Sequence, residues 1–224
     1  MSVLTSILDL LFPPKCPFCE RVLDRVGICP QCERELSWIP EAEVLREDVG
    51  DSCCAAPLWY EDLAREGILR FKFHSASASA EALGELLTRC VAEQFPGRFD
   101  VVTWVPLSRK RLRKRGYDQV ELLARAACRL WDTEPVRLLH KPVDNPPQSG
   151  LTEPAARRAN VLGVFEVTDA EAVRGRRILL LDDICTTGAT LSECVRELKA
   201  AGAESVVCAA VAFARNCRDD KAQN

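Results

Sequence analysis

The sequence predicts an α/β fold, with a mostly parallel sheet covered by helices on both faces, and a small N-terminal module with four cysteines. Apolar, strand-like segments alternate with amphipathic, helix-like segments from about residue 58 to residue 213, which is the pattern of a parallel sheet covered on both sides. An apolar run at residues 178–181 leads directly into two aspartates and a threonine-rich turn. Two Cys-x₂-Cys pairs occupy residues 16–32, a stretch too short to bury a core of its own.

The length and composition fit one such domain with a small appendage. With 224 residues, 47% hydrophobic and 28% charged, the chain can bury a full α/β core and is not expected to be disordered. A net charge of −3 gives no global reason to bind nucleic acid or an acidic membrane. No stretch is long enough to span a bilayer. The apolar residues 3–12 include Asp9 and follow no basic residue, so we expect a docked amphipathic helix there and not a signal peptide.

Four of the twelve cysteines have the spacing of metal ligands: Cys16, Cys19, Cys29 and Cys32. Two thiolate pairs on tight turns can complete a tetrahedral S₄ site, and zinc in such a closed site is usually structural. The alternative is a redox pair or an iron–sulfur cluster, although nothing else in the sequence indicates electron transfer. The other eight cysteines are scattered, which argues against a disulfide framework and for a reducing cytoplasm.

Hydrophobic spacing predicts the order of elements. We expect an N-terminal helix and zinc-ribbon module over residues 1–50, the α/β domain over 51–214 and a polar tail over 215–224. Residues 68–73 are compatible with a strand or a helix, and the prolines within 144–147 indicate a loop. The remaining spacing predicts helices over 83–91, 120–131 and 191–198, and strands over 100–106, 162–167, 178–181 and 205–213.

The end of the strand at residues 178–181 carries the most specific chemistry. Asp182 and Asp183 can accept hydrogen bonds from vicinal hydroxyls or hold Mg²⁺. The turn from Thr186 to Thr190 offers hydroxyls and backbone N–H groups at a helix N-terminus, and Gly188 lets the backbone approach an anion closely. This layout suits a sugar that carries both hydroxyls and phosphate. The plainer alternative is an ordinary strand-turn-helix with capping threonines and a solvated aspartate pair.

The segment 178–190 closely resembles the phosphoribosyl-pyrophosphate (PRPP) motif of type I phosphoribosyltransferases. The resemblance implies that Asp182 and Asp183 hold the ribose 2′- and 3′-hydroxyls, with Mg²⁺ accompanying PRPP, and that Thr186 to Thr190 bind the 5′-phosphate. The PRPP-binding segment implied in this way consists of Asp182, Asp183, Ile184, Cys185, Thr186, Thr187, Gly188, Ala189 and Thr190. The motif specifies the class of ligand and does not prove catalysis.

A strongly basic run follows the strand predicted over 100–106. It contains Arg109, Lys110, Arg111, Arg113, Lys114 and Arg115, and Gln119 follows shortly after it. A solvated charge run is the ordinary interpretation. Because this run stands at the carboxyl end of a strand and faces the predicted phosphate pocket, we expect a functional loop. It could clamp the pyrophosphate of PRPP or follow a nucleic-acid backbone.

Several blocks together resemble the ComF/GntX family. Residues 105–119, VPLSRKRLRKRGYDQ, are similar to the family's VPLSRKRLRKRGFNQ block, and 148–151 with 157–165 are similar to its QtgL…RxxN…gaF block. Residues 68–73 resemble its lKy segment, and the four-cysteine module is also typical. The likeness covers roughly residues 10–214. It implies a type I phosphoribosyltransferase-like fold with an N-terminal zinc ribbon. Some members are linked to natural competence, the cytoplasmic handling of incoming single-stranded DNA, which would imply partner proteins of a DNA-uptake pathway.

The sequence departs from the family pattern at three places. Asp118 replaces the usual asparagine and exchanges an amide donor for a carboxylate. Only Cys53 and Cys54 stand where many relatives carry a second ribbon, so we predict a single zinc. The stretch between Leu151 and Arg157 is about one residue longer than usual, which leaves the matching arginine open between Arg157 and Arg158.

These features predict a PRPP-binding, ComF-like protein serving single-stranded DNA handling in the cytoplasm. The alternative is an active phosphoribosyltransferase that displaces pyrophosphate from PRPP with a base or amine acceptor. In that case Asp182 and Asp183 would be the catalytic residues, because they would hold the ribose and Mg²⁺. A transferase needs a hood that recognises the acceptor, and the region expected to supply it, 58–95, carries few polar anchors. This favours binding over turnover.

Overall fold

The computed structural model describes residues 13–73, 76–144 and 162–215. The expected N-terminal helix at 3–12, most of the loop at 144–147, the block at 148–161 and the tail from 216 onward lie outside these residues. Across the described ranges, no helix is long and apolar enough to cross a membrane.

The main sheet has six strands among the described residues, and all pairings but one are parallel. The strand order is β1-β2-β8-β7-β4, with β3 also paired to β8, and only β1 and β2 run antiparallel. A two-stranded antiparallel pair, β5 and β6, stands apart. The strands are β1 (Leu45–Arg46), β2 (Cys54–Ala55), β3 (Leu58–Trp59), β4 (Val101–Trp104), β5 (Leu139–His140), β6 (Glu166–Val167), β7 (Arg177–Cys185) and β8 (Ser205–Phe213).

Helices cover both faces of this sheet, which confirms the predicted fold class. The helices of the described residues are α1 (Pro30–Glu35), α2 (Asp62–Phe73), α3 (Ala76–Gln94), α4 (Arg109–Arg115), α5 (Gln119–Leu130), α6 (Ala170–Val173) and α7 (Ala189–Ala200), with a 3₁₀ turn at Glu41–Glu43. Along β7 the buried side chains alternate between two cores. Leu179 and Leu181 pack with α3 and α5, whereas Ile178 and Leu180 pack with α7. Strands buried on both faces explain the unbroken apolar runs.

A close contact between α3 and α5 holds α5 at the sheet edge that bears the predicted site. Gly84 lies against α5, where an added Cβ would stand 2.8 Å from the Cβ of Ala126 and 3.1 Å from the backbone nitrogen of Ala127. Only a residue without a side chain allows the two helices to approach so closely. The N-terminus of α5, which carries Gln119, is thereby held at the carboxyl ends of the strands.

Two local expectations differ from the structure. The basic run forms the helix α4 and not a loop, since the Ser108 side chain accepts a hydrogen bond from the Arg111 N–H (3.3 Å) and Gly116 ends the helix with φ +82°. The strand expected over 162–167 is limited to β6, because Gly163 takes φ +67° in a turn. Residues 68–73, compatible with either type, form the end of α2.

Candidate functional site

Most of the predicted PRPP-site residues, with Arg111, Arg115 and Gln119, line one cavity of about 360 Å³ at the carboxyl ends of β4 and β7. Both aspartates after the apolar run line it, as do residues of the following turn and of two helices. Parallel strands place their carboxyl ends at one sheet edge, so β7 and β4 bring the acidic motif and the basic run together. The charged and amide side chains of the wall are Lys72, Arg111, Arg115, Gln119, Lys141, Asp182 and Asp183.

Asp183 is the anchor of this arrangement. Its carboxylate is 5% exposed, and each oxygen has a partner. The Lys72 ammonium lies 3.0 Å from Oδ1, and the Gln119 side-chain amide donates to Oδ2 at 2.9 Å. Lys72 comes from the last turn of α2, and Gln119 is the first residue of α5. A buried carboxylate with an ion pair and a hydrogen bond is held in a fixed orientation.

Asp182 is the second carboxylate of the pair. Its Oδ1 accepts a hydrogen bond from the Asp183 backbone N–H at 2.8 Å. Burial, and then the negative charge of Asp183, raise the pKa of Asp182 to about 8. A cation bound beside Asp182 would favour its ionised form.

The turn after β7 opens α7 toward the cavity. Thr186, Gly188, Ala189 and Thr190 line the wall, whereas the Thr187 hydroxyl is buried and has no hydrogen-bond partner among the described residues. Gly188 has φ +72°, a left-handed conformation that favours glycine. Its position in the motif is thus explained by the turn itself as well as by any close approach of a ligand.

An arginine that the sequence analysis did not single out braces this turn. The Arg46 guanidinium donates to the carbonyl oxygens of Thr186 (3.3 Å) and Ala214 (3.0 Å) and lies 4.3 Å from the centre of the Phe213 ring. Arg46 belongs to β1, in a stretch that carries no periodic signal. The contact joins residues 140 positions apart, so only the tertiary structure reveals it.

The basic helix α4 has two faces. Arg111 and Arg115 line the cavity, and the Arg115 guanidinium donates to the Gln119 side-chain oxygen at 2.7 Å. Gln119 in turn binds Asp183, so one chain of hydrogen bonds runs from α4 to β7. The other four cations are exposed to solvent: Arg109, Lys110, Arg113 and Lys114.

The unusual Asp118 has a structural role. Its Oδ2 accepts from the Leu107 N–H at 3.0 Å, and its Oδ1 accepts from the N–H groups of Val120 (3.0 Å) and Glu121 (3.2 Å), capping α5. Burial raises the pKa of Asp118, and these three bonds oppose that effect. A carboxylate suits the position because both of its oxygens accept, whereas an asparagine side chain would turn a donor toward one of these N–H groups.

A second residue missed by the sequence analysis is Lys141, just after β5. It is 8% exposed, lines the cavity, and has its ammonium 5.0 Å from the centre of the Phe165 ring. Burial, and then the positive charge of Arg111, lower the pKa of Lys141 to about 8. A single lysine before a proline gives no signal of burial in the sequence.

The four N-terminal cysteines form one compact cluster. The sulfur atoms of Cys16, Cys19, Cys29 and Cys32 all lie within 4.8 Å of one another. The Cys19 and Cys29 sulfurs are 3.6 Å apart, close to the ~3.8 Å expected between ligands of a tetrahedral site with Zn–S bonds of about 2.3 Å. Cys29 caps α1, and Pro30 occupies its first turn. The cluster fits a structural zinc.

The zinc module is docked on α2. An added Cβ at Gly67 would stand 2.5 Å from Cδ1 of Phe18 and 2.9 Å from the carbonyl oxygen of Pro17. Phe18 is fully buried, and its carbonyl oxygen accepts a hydrogen bond from Arg70. Lys72, which forms the ion pair with Asp183, belongs to the same helix. One helix therefore connects the first cysteine turn to the acidic pair.

The remaining described cysteines are all free. Cys54, Cys194 and Cys208 are fully buried, and burial raises the pKa of each thiol. Cys185, in the motif turn, is 2% exposed. Buried thiols of this kind are packing residues.

Comparisons with known proteins agree with this layout. A family model described as a phosphoribosyl transferase domain matches residues 120–224, and one described as a double zinc ribbon domain matches residues 7–44. The second range holds only one set of four cysteines. Together, the match and the cluster support a structural zinc, and the number of zinc ions stays a prediction.

Curated relatives match most of the chain. Competence protein ComFC of Streptococcus pneumoniae (strain ATCC BAA-255 / R6) is 30% identical over 199 residues, which cover 85% of this chain and 84% of the relative. Competence protein ComFC of Bacillus subtilis (strain 168) is 28% identical over 176 residues, which cover 79% of this chain and 68% of the relative. Among solved structures, a glutamine PRPP amidotransferase from B. subtilis aligns with a TM-score of 0.42 and 21% identity, over 63% of this chain and 30% of that chain.

Proposed function

The chain belongs to the ComF family of phosphoribosyltransferase-like proteins, and from this premise we propose that it binds PRPP and serves the cytoplasmic handling of single-stranded DNA in natural competence. The premise rests on a relative that is 30% identical over 84% of its own length. That relative and the one from B. subtilis are both named as competence proteins. We extend this role to the present chain, with partner proteins of a DNA-uptake pathway.

One observation supports PRPP as the ligand above the others. The acidic pair Asp182 and Asp183, the turn that opens α7 and the cations Arg111 and Arg115 line a single cavity. Acceptors for ribose hydroxyls, donors for a 5′-phosphate and cations for a pyrophosphate are the groups that PRPP requires. Mg²⁺, if bound with PRPP, would lie beside Asp182 and Asp183 and neutralise phosphate charge.

Binding without turnover fits the wall of the cavity better than transfer to an acceptor. Among the described residues of 58–95, the expected hood, those that line the cavity are Tyr60, Leu69, Lys72 and Phe73. The charged group in this described set, Lys72, is already paired with Asp183. A base or amine acceptor would find few polar groups there to recognise it. The active transferase remains the alternative, with Asp182 and Asp183 holding the ribose.

The outer face of α4 is the proposed contact for DNA. Four cations on one short helix are exposed beside the cavity, and the Lys110 side chain is 82% exposed. Clustered exposed cations attract a phosphate backbone without reading its sequence. We therefore assign PRPP to the face of α4 that lines the cavity and DNA to the face that is exposed to solvent.

Two variants test this division. Asp182→Asn with Asp183→Asn should abolish PRPP binding in calorimetry and leave single-stranded DNA affinity within about twofold. Alanines at Arg109, Arg113 and Lys114 should do the reverse, weakening DNA binding and reducing the salt slope by about 0.7 for each lost phosphate contact. Unchanged PRPP affinity in the first variant would refute the site assignment. Unchanged DNA affinity in the second would refute the role of α4.

A further inference from the structure

Lys141 is a buried cation of the cavity to which the proposed function gives no role. It lines the same wall as Asp182 and Arg111, and 8% of it is exposed. Its ammonium lies over the Phe165 ring at 5.0 Å. Within 13–73, 76–144 and 162–215, no carboxylate comes within 4.0 Å of it. A buried ammonium without a counter-anion is costly unless a ligand supplies the anion.

One acidic residue that acts on Lys141, Asp144, is paired with other groups. Asp144, three residues further along the chain, accepts a hydrogen bond from the Ser108 hydroxyl and pairs with Lys110 (3.6 Å) and Arg111 (3.8 Å). Asp144 thus holds the start of α4 against the loop after β5. Among the residues that the structure describes, Lys141 is left near this cationic helix without a carboxylate at ion-pair distance.

The charges around Lys141 come from several elements. Arg111 of α4 disfavours its protonated form, whereas Asp182 of β7 and Asp144 favour it. Burial and Arg111 outweigh the other groups in the free protein. A lysine and an arginine of like charge at one wall are stabilised together when a polyanion binds between them.

We propose that Lys141, acting with Arg111, binds the pyrophosphate group of the ligand, an assignment that rests on the proposed function for the identity of that ligand. The turn after β7 is the place for the sugar phosphate, whereas Arg111 belongs to α4, which follows the adjacent strand β4. The two anionic ends of PRPP are thereby separated across neighbouring strands. The lysine ammonium offers three donors to phosphate oxygens, and the Phe165 ring fixes its position.

The test compares the zinc-loaded, full-length protein with Lys141→Met and Lys141→Arg. Affinities for pyrophosphate, ribose 5-phosphate and PRPP are measured by calorimetry with Mg²⁺ at constant pH. Lys141→Met should weaken pyrophosphate and PRPP binding by about tenfold or more, as expected for a lost charged hydrogen bond, and should leave ribose 5-phosphate within about twofold. Lys141→Arg should retain most of the pyrophosphate affinity, because it keeps the charge. Lys199→Met, at the far end of α7, is the matched control and should bind all three ligands as the wild type does.

The outcomes separate this assignment from the proposed function. Wild-type pyrophosphate affinity in Lys141→Met, no pyrophosphate binding by the wild type, or an equal loss of pyrophosphate and ribose 5-phosphate would each overturn the role of Lys141. If the wild type binds pyrophosphate through Lys141 but binds neither PRPP nor ribose 5-phosphate, the proposed function fails and the role of Lys141 stands.

Discussion

The contact of Gly67 with the first cysteine turn allows the zinc module to be perturbed without touching a zinc ligand. In Gly67→Ala, the new methyl group would stand 2.5 Å from Cδ1 of Phe18 and 2.9 Å from the Pro17 carbonyl oxygen. Both distances are too short for a carbon contact, and the second involves backbone. The turn that carries Cys16 and Cys19 must therefore shift away from α2.

The size of the effect follows from two opposing contributions. Overpacking of a tight contact typically costs about 1–3 kcal/mol, whereas replacing glycine by alanine inside a helix contributes about 1 kcal/mol of stability. Because two contacts are violated at Gly67, we expect a net loss of about 1–2 kcal/mol in the free energy of unfolding. For a chain of this length, each kcal/mol lowers Tm by about 2–4 °C.

Thermal denaturation with and without a zinc chelator is the assay, and Gly84→Ala is the comparison variant. Gly84 makes a similarly short contact, but with Ala126 of α5 and not with the turn that carries Cys16 and Cys19. Gly84→Ala should lower Tm equally in both conditions. Gly67→Ala should lower Tm in the zinc-loaded protein and lose most of its effect after chelation, when the turn is released. An equal loss in both conditions would refute the idea that zinc holds the turn against α2.

Three further predictions concern the metal and the acidic pair. Metal analysis should find about one zinc per chain, lost together with stability when any ligand cysteine becomes serine; iron, or no metal, would overturn the ribbon. Asp182→Asn should flatten the pH dependence of unfolding between about pH 4 and about 8. The raised pKa of Asp182 makes its contribution greatest below its unfolded value of ~4 and removes it as pH rises through about 8. An unchanged pH dependence of the free energy of unfolding, measured by chemical denaturation, would refute this prediction. Lys72→Met should weaken both stability and PRPP binding more than Lys72→Arg does, because it leaves the buried Asp183 carboxylate without its ion pair; equal behaviour of the two variants would show that the charge is unimportant.

The sequence predicted the parts of the fold in which one segment carries the whole signal. The strands β7 and β8 and the helices α3, α5 and α7 follow from runs or spacings within each segment. The acidic pair and its turn are contiguous, so their common position also followed. The helix α4 also has capping residues in the sequence, Ser108 before it and Gly116 after it. The dense positive charge between them led us to expect a loop instead.

The site residues that the sequence analysis did not identify are those whose role depends on contacts between distant segments. Lys72 reaches Asp183 from α2, Arg46 reaches the turn before α7 from β1, and Lys141 enters the cavity from the loop after β5. None of the three lies in a segment with charge periodicity, and Lys72 was marked only by the resemblance of residues 68–73 to the family's lKy segment. Tertiary packing alone decides whether such a side chain is solvated or buried, so charge periodicity could not identify them.

PRPP binding by the purified, zinc-loaded protein with Mg²⁺ is the most direct test of the proposed ligand. Calorimetry and pyrophosphate release should be followed together, with and without single-stranded DNA and candidate bases. We expect saturable PRPP binding at one site, without acceptor-dependent release of pyrophosphate. Release that requires an acceptor would show a working transferase, and the absence of any PRPP binding would contradict the assignment of the cavity.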